Sequence, residues 1–163
     1  DMTPRSCHVA GRVDTHDLVE GKKKQLQAVI TKFNCVADLD RSGNFSPVWV
    51  PKWITSLAYG DRCHLNGLCT NNSNGLAFAT AVSTSNIPQN IVSFLLDFVM
   101  TFGTLGQTVL VLHVQVICSG LSMPHSPRLH KNTLYVLEGG SGWFGFIDQK
   151  TETFRRVCWC PGM

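Results

Sequence analysis

Apolar and polar positions alternate in short runs along most of this chain, and the runs are separated by turn residues. Residues 25–33 (QLQAVITKF), 34–40 (NCVADLD) and 45–50 (FSPVWV) carry the period-two pattern and the β-branched and aromatic residues of strands. Arg41-Ser42-Gly43-Asn44 reads as the turn between the last two, and Pro51 ends the run. Near the C-terminus 133–138 (TLYVLE), 143–148 (WFGFID) and 153–159 (TFRRVCW) repeat the plan, with turns at 139–142 and 149–152. The two stretches superpose as strand, Asp, four-residue turn, aromatic, strand, Pro. Each follows a further strand, and that strand follows a histidine and a polar hairpin, at 16–24 and at 125–132.

A middle unit starts alike. His64 opens LNGLCT, residues 71–75 (NNSNG) form a hairpin, 76–83 (LAFATAVS) is the second strand and 114–121 (VQVICSGL) the last. Four antiparallel strands per unit is the blade of a β-propeller. The expected fold is therefore all-β and propeller-like, one domain with blade-like units at about 13–52, 64–121 and 125–162. A ring needs about four blades to close, so three units predict a partial propeller. The repeat spacing is near the ~50 residues of propeller units, but the middle unit is about a dozen residues longer. The excess falls in an irregular apolar stretch, 87–113, where Asp97 is the one acidic residue. Buried blade strands or an inserted apolar helix are favoured there. A membrane span is disfavoured because Asp97 lies within it, and a reading-frame or splicing artefact also fits.

Composition narrows the picture. The 163 residues are 44 % hydrophobic and 15 % charged, with net charge +3, enough apolar content for one real core. The Lys22-Lys23-Lys24 run has no interleaved aromatics, so it reads as a solvated hairpin tip and nucleic-acid binding is not expected. Seven cysteines in no zinc-ribbon spacing suggest reduced thiols. No signal-peptide pattern opens the chain. Together these favour a cytoplasmic location.

The candidate chemistry sits where the repeats begin. His16 (DTHD), His64 (DRCHLNG) and His125 (MPHSPR) each end a turn and precede an inner strand. In a propeller that strand lines the axis, so the three imidazoles are expected to converge on one mouth. Three histidines with an open position suit zinc or iron, with Asp14, Asp17 and Asp61 placed to bond the far ring nitrogens. Structural packing of each histidine is the competing reading. Arg62 and Arg128 could clamp a carboxylate or phosphate, or bridge blades to Asp61 or Asp14. Asp61, Asn66 and Ser126 complete the candidate ligand-binding set. A Cys63–His64 dyad is disfavoured because strand neighbours face opposite ways. Ser126 has no nucleophile elbow, and the 139–142 glycines have no phosphate-loop Lys.

The segments VDTHDLV, FNC, DRCHLNGL, AVS, GLSMPHSPRL, LYVLEGGSGWFGFID and PG resemble an uncharacterised family of conserved proteins, the family of domain of unknown function 4915. They span most of the chain outside 87–113, and DRCHLNG and GLSMPHSPR are specific. The resemblance implies a propeller-like fold and supplies no catalytic residues. It also implies a polar segment with Gly, Trp and Arg in place of 87–113, and members that extend beyond both ends of this sequence. The favoured expectation is a module that binds a small molecule or peptide at its central mouth. A three-histidine metal-dependent enzyme and a structural subunit needing a protein partner are the alternatives.

Overall fold

The computed structural model describes residues 7, 11–88, 98–104 and 111–161. They form three four-stranded antiparallel sheets. The first holds β1 (Thr15–Glu20), β2 (Leu26–Ile30), β3 (Cys35–Leu39) and β4 (Phe45–Trp49). The second holds β5 (Leu65–Thr70), β6 (Leu76–Ala81), β7 (Phe98–Thr104) and β8 (Val111–Ser119). The third holds β9 (Pro124–His130), β10 (Thr133–Glu138), β11 (Trp143–Asp148) and β12 (Thr153–Trp159). Within each sheet the strands follow chain order, so every connection is a hairpin or short loop or lies outside the described residues. The first strands meet across sheets: β5 packs against both β1 and β9. The architecture is that of propeller blades around their inner strands.

The turn chemistry explains the repeat seen in sequence. Asp40 accepts from the backbone N–H groups of Ser42 and Asn44, and Asp148 from those of Lys150 and Thr151. Asn71 does the same for Ser73 and Gly75 in the middle sheet. Each is a side-chain-closed turn that fixes the hairpin before it. Lys22–Lys24 form one 3-10 turn at the exposed β1–β2 tip.

Packing explains the patterning. The sheet 1–sheet 2 core joins Val29, Val36 and Trp49 to Leu65, Leu68, Ala79 and Met100. The sheet 2–sheet 3 core joins Phe78, Val99 and Cys118 to Leu134, Val136 and Ile147. The middle sheet is therefore covered on both faces, and every residue of β6 is buried. Strands buried on both sides lose their alternation and read as continuous apolar runs. That is the character of LAFATA and of the stretch after it. In β10, by contrast, buried and half-buried residues alternate strictly.

One expectation is corrected. The strand predicted through residue 33 ends at Ile30, and Thr31–Phe33 form a 3-10 turn closed by Asn34 in the left-handed region, φ 55°. Inside the irregular stretch, the favoured reading of blade strands holds for Phe98–Thr104, which pairs with β6 and β8. The insertion, membrane-span and artefact readings of the remainder fall on 89–97 and 105–110, outside the described residues. No helix among the described residues is long and apolar enough to cross a membrane.

Candidate functional site

A β-bulge marks the start of each inner strand. Pairing slips between Thr15 and Leu18 in β1, between Leu65 and Gly67 in β5, and in β9 opposite the Tyr135–Leu137 step. A bulge leaves a residue outside the ladder and re-aims its side chain. His16, Asn66 and Ser126 lie in these irregular steps, and His125 borders the third. Left-handed residues open the way in, with φ near 57° at Asp14, 47° at His64 and 51° at Met123. Aligned on strand starts, the second positions are His16, Asn66 and His125. His64 precedes its strand and occupies the slot of Asp14 and Met123. The three histidines thus meet without being equivalent: the middle unit places an asparagine in the common slot and adds a histidine two residues earlier.

The rings converge. The His16 and His64 centroids are 4.8 Å apart, edge to face, and those of His16 and His125 are 6.3 Å apart, nearly stacked. Their surroundings set their protonation. Thr31 donates its hydroxyl to the Leu65 carbonyl at 2.6 Å, so at 2.8 Å from His16 Nδ1 it accepts the ring proton. His16 Nε2 is left as the free nitrogen. Asp61 accepts the His64 backbone N–H through Oδ1 at 2.8 Å and the ring Nδ1–H through Oδ2 at 2.6 Å. One carboxylate thus holds both the turn and the ring. The Thr80 hydroxyl donates to Asn66 Oδ1 at 2.7 Å, which turns the Asn66 amide nitrogen toward His125 Nε2 at 3.4 Å. The His16 and His64 side chains keep about a quarter of their surface exposed. A cleft of about 510 Å³ lies beside His125 and Ser126, walled by Met123, Leu137 and two glycines. Grooves of about 470 Å³ at Lys22–Leu76 and about 670 Å³ at Lys24–Asn44 lie toward the opposite ends of the inner strands.

The histidines are pushed apart in pKa. The Asp61 hydrogen bond raises His64 above its ordinary 6.5, outweighing burial. Burial lowers His125, and the positive charges of His64 and His16 lower it further. For Asp61, burial acts upward, but the hydrogen bond and charge of His64 together bring it below 3.8. The signs follow from linkage. The stabilisation from His64 is complete below pH 6.5 and fades as pH rises through its raised value. That from Asp61 is present above pH 3.8 and fades as pH falls through its lowered value. His125 works against the folded state as pH drops below 6.5, because the unfolded ring binds the proton more readily. Ring C–H resonances are expected to titrate on opposite sides of pH 6.5, and Asp61→Asn is expected to bring His64 down. Coincident titration of the two rings would refute this assignment.

The remaining candidates divide. Asp61 and Asn66 stand in the cluster. Ser126 flanks it, with φ 50°. Arg62 is buried, and its guanidinium donates to the Ser56 and Ala58 carbonyls at 2.8 and 3.4 Å. Arg128 forms a two-pronged pair with Asp17, Nη1 to Oδ2 at 2.9 Å and Nη2 to Oδ1 at 2.8 Å. It is an inter-blade bridge, as weighed, but its partner is Asp17 and not the expected Asp61 or Asp14. Among the described residues, no three His, Cys, Asp or Glu side chains stand in metal-holding geometry. Thr31, Thr80 and Asn34 are the residues that sequence reasoning missed. Threonines within strand-like runs carry no signal, whereas Asn34 stood at a junction between two strand patterns.

No curated protein matches this chain. A solved structure, the selenomethionine-substituted virginiamycin B lyase from Staphylococcus aureus, is similar over 89 % of this chain and 41 % of that one, at TM-score 0.50 and 14 % identity. At that identity the likeness is one of fold, propeller-like, and this chain spans less than half of the lyase's length. The family described as Domain of unknown function (DUF4915) matches residues 2–163, and the chain belongs to it.

Proposed function

We propose that this chain is a ligand-binding propeller module whose site is the histidine cluster at the mouth formed by β1, β5 and β9. The ligand is a small molecule, or the end of a peptide, bearing an anionic oxygen. The observation that supports this is the convergence of three rings, with His64 shifted up and His125 shifted down in pKa. His64, held by Asp61, keeps its ring proton to higher pH than a free imidazole and donates it to the anion, while His125 gives up its proton more readily and accepts. A charge-assisted hydrogen bond of this kind contributes about 1.5–3 kcal/mol. The partly exposed rings and the adjoining cleft leave room for such a group.

The test is a titration with inorganic phosphate, acetate and succinate, read by ring resonances and by the unfolding midpoint. At least one anion is expected to shift the His64 and His125 signals saturably. Its affinity is expected to fall roughly tenfold or more in His64→Ala, the equivalent of about 1.4 kcal/mol. No shift with any anion, or full binding in both His64→Ala and His125→Ala, would sink the reading.

A second reading is a metal-dependent enzyme with His16, His64 and His125 as ligands to zinc or iron. It is favoured by the anchoring of His16 and His64 through Nδ1, which leaves Nε2 for an ion. In such sites the bonded carboxylate tunes the ligand. Zinc would then broaden or shift all three ring signals at stoichiometric amounts, and Asp61→Asn would weaken binding about 10–100-fold.

A further inference from the structure

Strand β12 is the terminal strand of the third sheet and, among the described residues, pairs with β11 alone. It carries Cys158, which is exposed, and Cys160 follows just past its end. Residues two apart on a strand leave from the same face, and the two sulfurs stand 3.9 Å apart. The Cys160 backbone N–H donates to the Gly142 carbonyl at 2.7 Å, which pins the second thiol in place. The other described cysteines differ. Cys35, Cys63, Cys69 and Cys118 are buried, and Cys7 is exposed but has no thiol beside it among the described residues.

The sulfur separation decides what the pair can do. A disulfide needs about 2.05 Å between sulfurs. Two thiolates on one tetrahedral ion, each at about 2.3 Å, stand about 3.8 Å apart. The observed 3.9 Å matches the second geometry and needs no backbone shift. We propose that Cys158 and Cys160 form a chelating dithiol for a soft divalent cation of the zinc class. Two thiol protons leave to solvent as two metal–sulfur bonds form, with no change of oxidation state. Water fills the remaining positions, or a ligand from another molecule does, since the pair lies at an open sheet edge. Soft thiolates select such ions over magnesium or calcium.

The site is independent of the histidine cluster, and cadmium distinguishes the two, because only sulfur ligation gives the thiolate-to-cadmium ultraviolet band. Titration of the reduced 163-residue chain at neutral pH is expected to raise that band to saturation at one cadmium per chain. Two protons are released, and Trp159, which separates the two cysteines in sequence, changes its emission. Cys158→Ser and Cys160→Ser are each expected to abolish saturable binding, with circular dichroism unchanged. Cys7→Ser and His64→Ala are expected to retain it. A band that survives both serine variants, or no band at stoichiometric cadmium, overturns the proposal.

Discussion

Asn34→Ala is expected to destabilise the folded chain by about 4 kcal/mol, the largest loss of any single polar truncation here. Asn34 is fully buried, yet it has no role in a strand. Its Oδ1 accepts the backbone N–H groups of Arg62 and Cys63 at 2.8 and 3.3 Å, and its Nδ2 donates to the Gly60 carbonyl at 2.7 Å. Alanine would leave those buried donors unpaired, at roughly 1–3 kcal/mol each. It would also place a Cβ-bearing residue without a local hydrogen bond in the left-handed region, at about 1 kcal/mol more. Urea unfolding measures the sum. Asn34→Gly removes the backbone cost and keeps the lost bonds, so it should recover only about 1 kcal/mol. A loss below about 1 kcal/mol in Asn34→Ala would show that the 60–63 segment does not depend on this side chain. Because that segment carries Asp61 and His64, the raised titration of His64 should be lost in the same variant.

Asp17→Ala is expected to cost about 3–4 kcal/mol, and its effect should reach all three sheets. Asp17 lies on β1. Its Oδ2 accepts the Leu68 backbone N–H of β5 at 3.0 Å, and both its oxygens accept from Arg128 of β9. One carboxylate ties the three inner strands together. Without it the buried Leu68 N–H has no acceptor. Arg128, whose side chain is half exposed, turns to water at a smaller cost. Arg128→Ala should therefore lose less, about 1 kcal/mol. Equal losses in the two variants would mean that the ion pair, and not the Leu68 contact, carries the energy. Hydrogen exchange of β5 amides in Asp17→Ala should rise with those of β1 if the sheets open as one unit.

The expected fold could be read from the sequence because blade geometry is locally encoded. The outer hairpins β3–β4 and β11–β12 close through an Asp side chain bonding its own turn, and in sequence the flanking strands alternate. The middle sheet was harder to read. Its strands pack on both neighbours, so the alternation that marks a strand was erased, and β7 was hidden in an apolar run. The site was partly legible. Its histidines were conspicuous because each follows a turn, but their spacing suggested equivalence. The bulges at Thr15–Leu18 and Leu65–Gly67 shift the register, so Asn66 takes the slot that His64 had been assigned. A slip of this kind depends on cross-strand pairing and leaves no mark in composition. Thr31 and Thr80 went unnoticed for a similar reason, since their roles are defined by partners 34 and 14 residues away in sequence.

By itself, the sequence determined the all-β repeat and its hairpin turns, which rest on short-range patterns of polarity and turn chemistry, while the motifs DRCHLNG and GLSMPHSPR carried the resemblance to the family to which the chain belongs. Only the tertiary structure decided which ring nitrogens are engaged, which arginine is committed to a bridge, and that His64 holds its proton to higher pH than His125. Those properties come from burial and from hydrogen bonds between sheets. The electrostatics of an imidazole depend on neighbours within a few ångströms, and in a propeller those neighbours come from different blades.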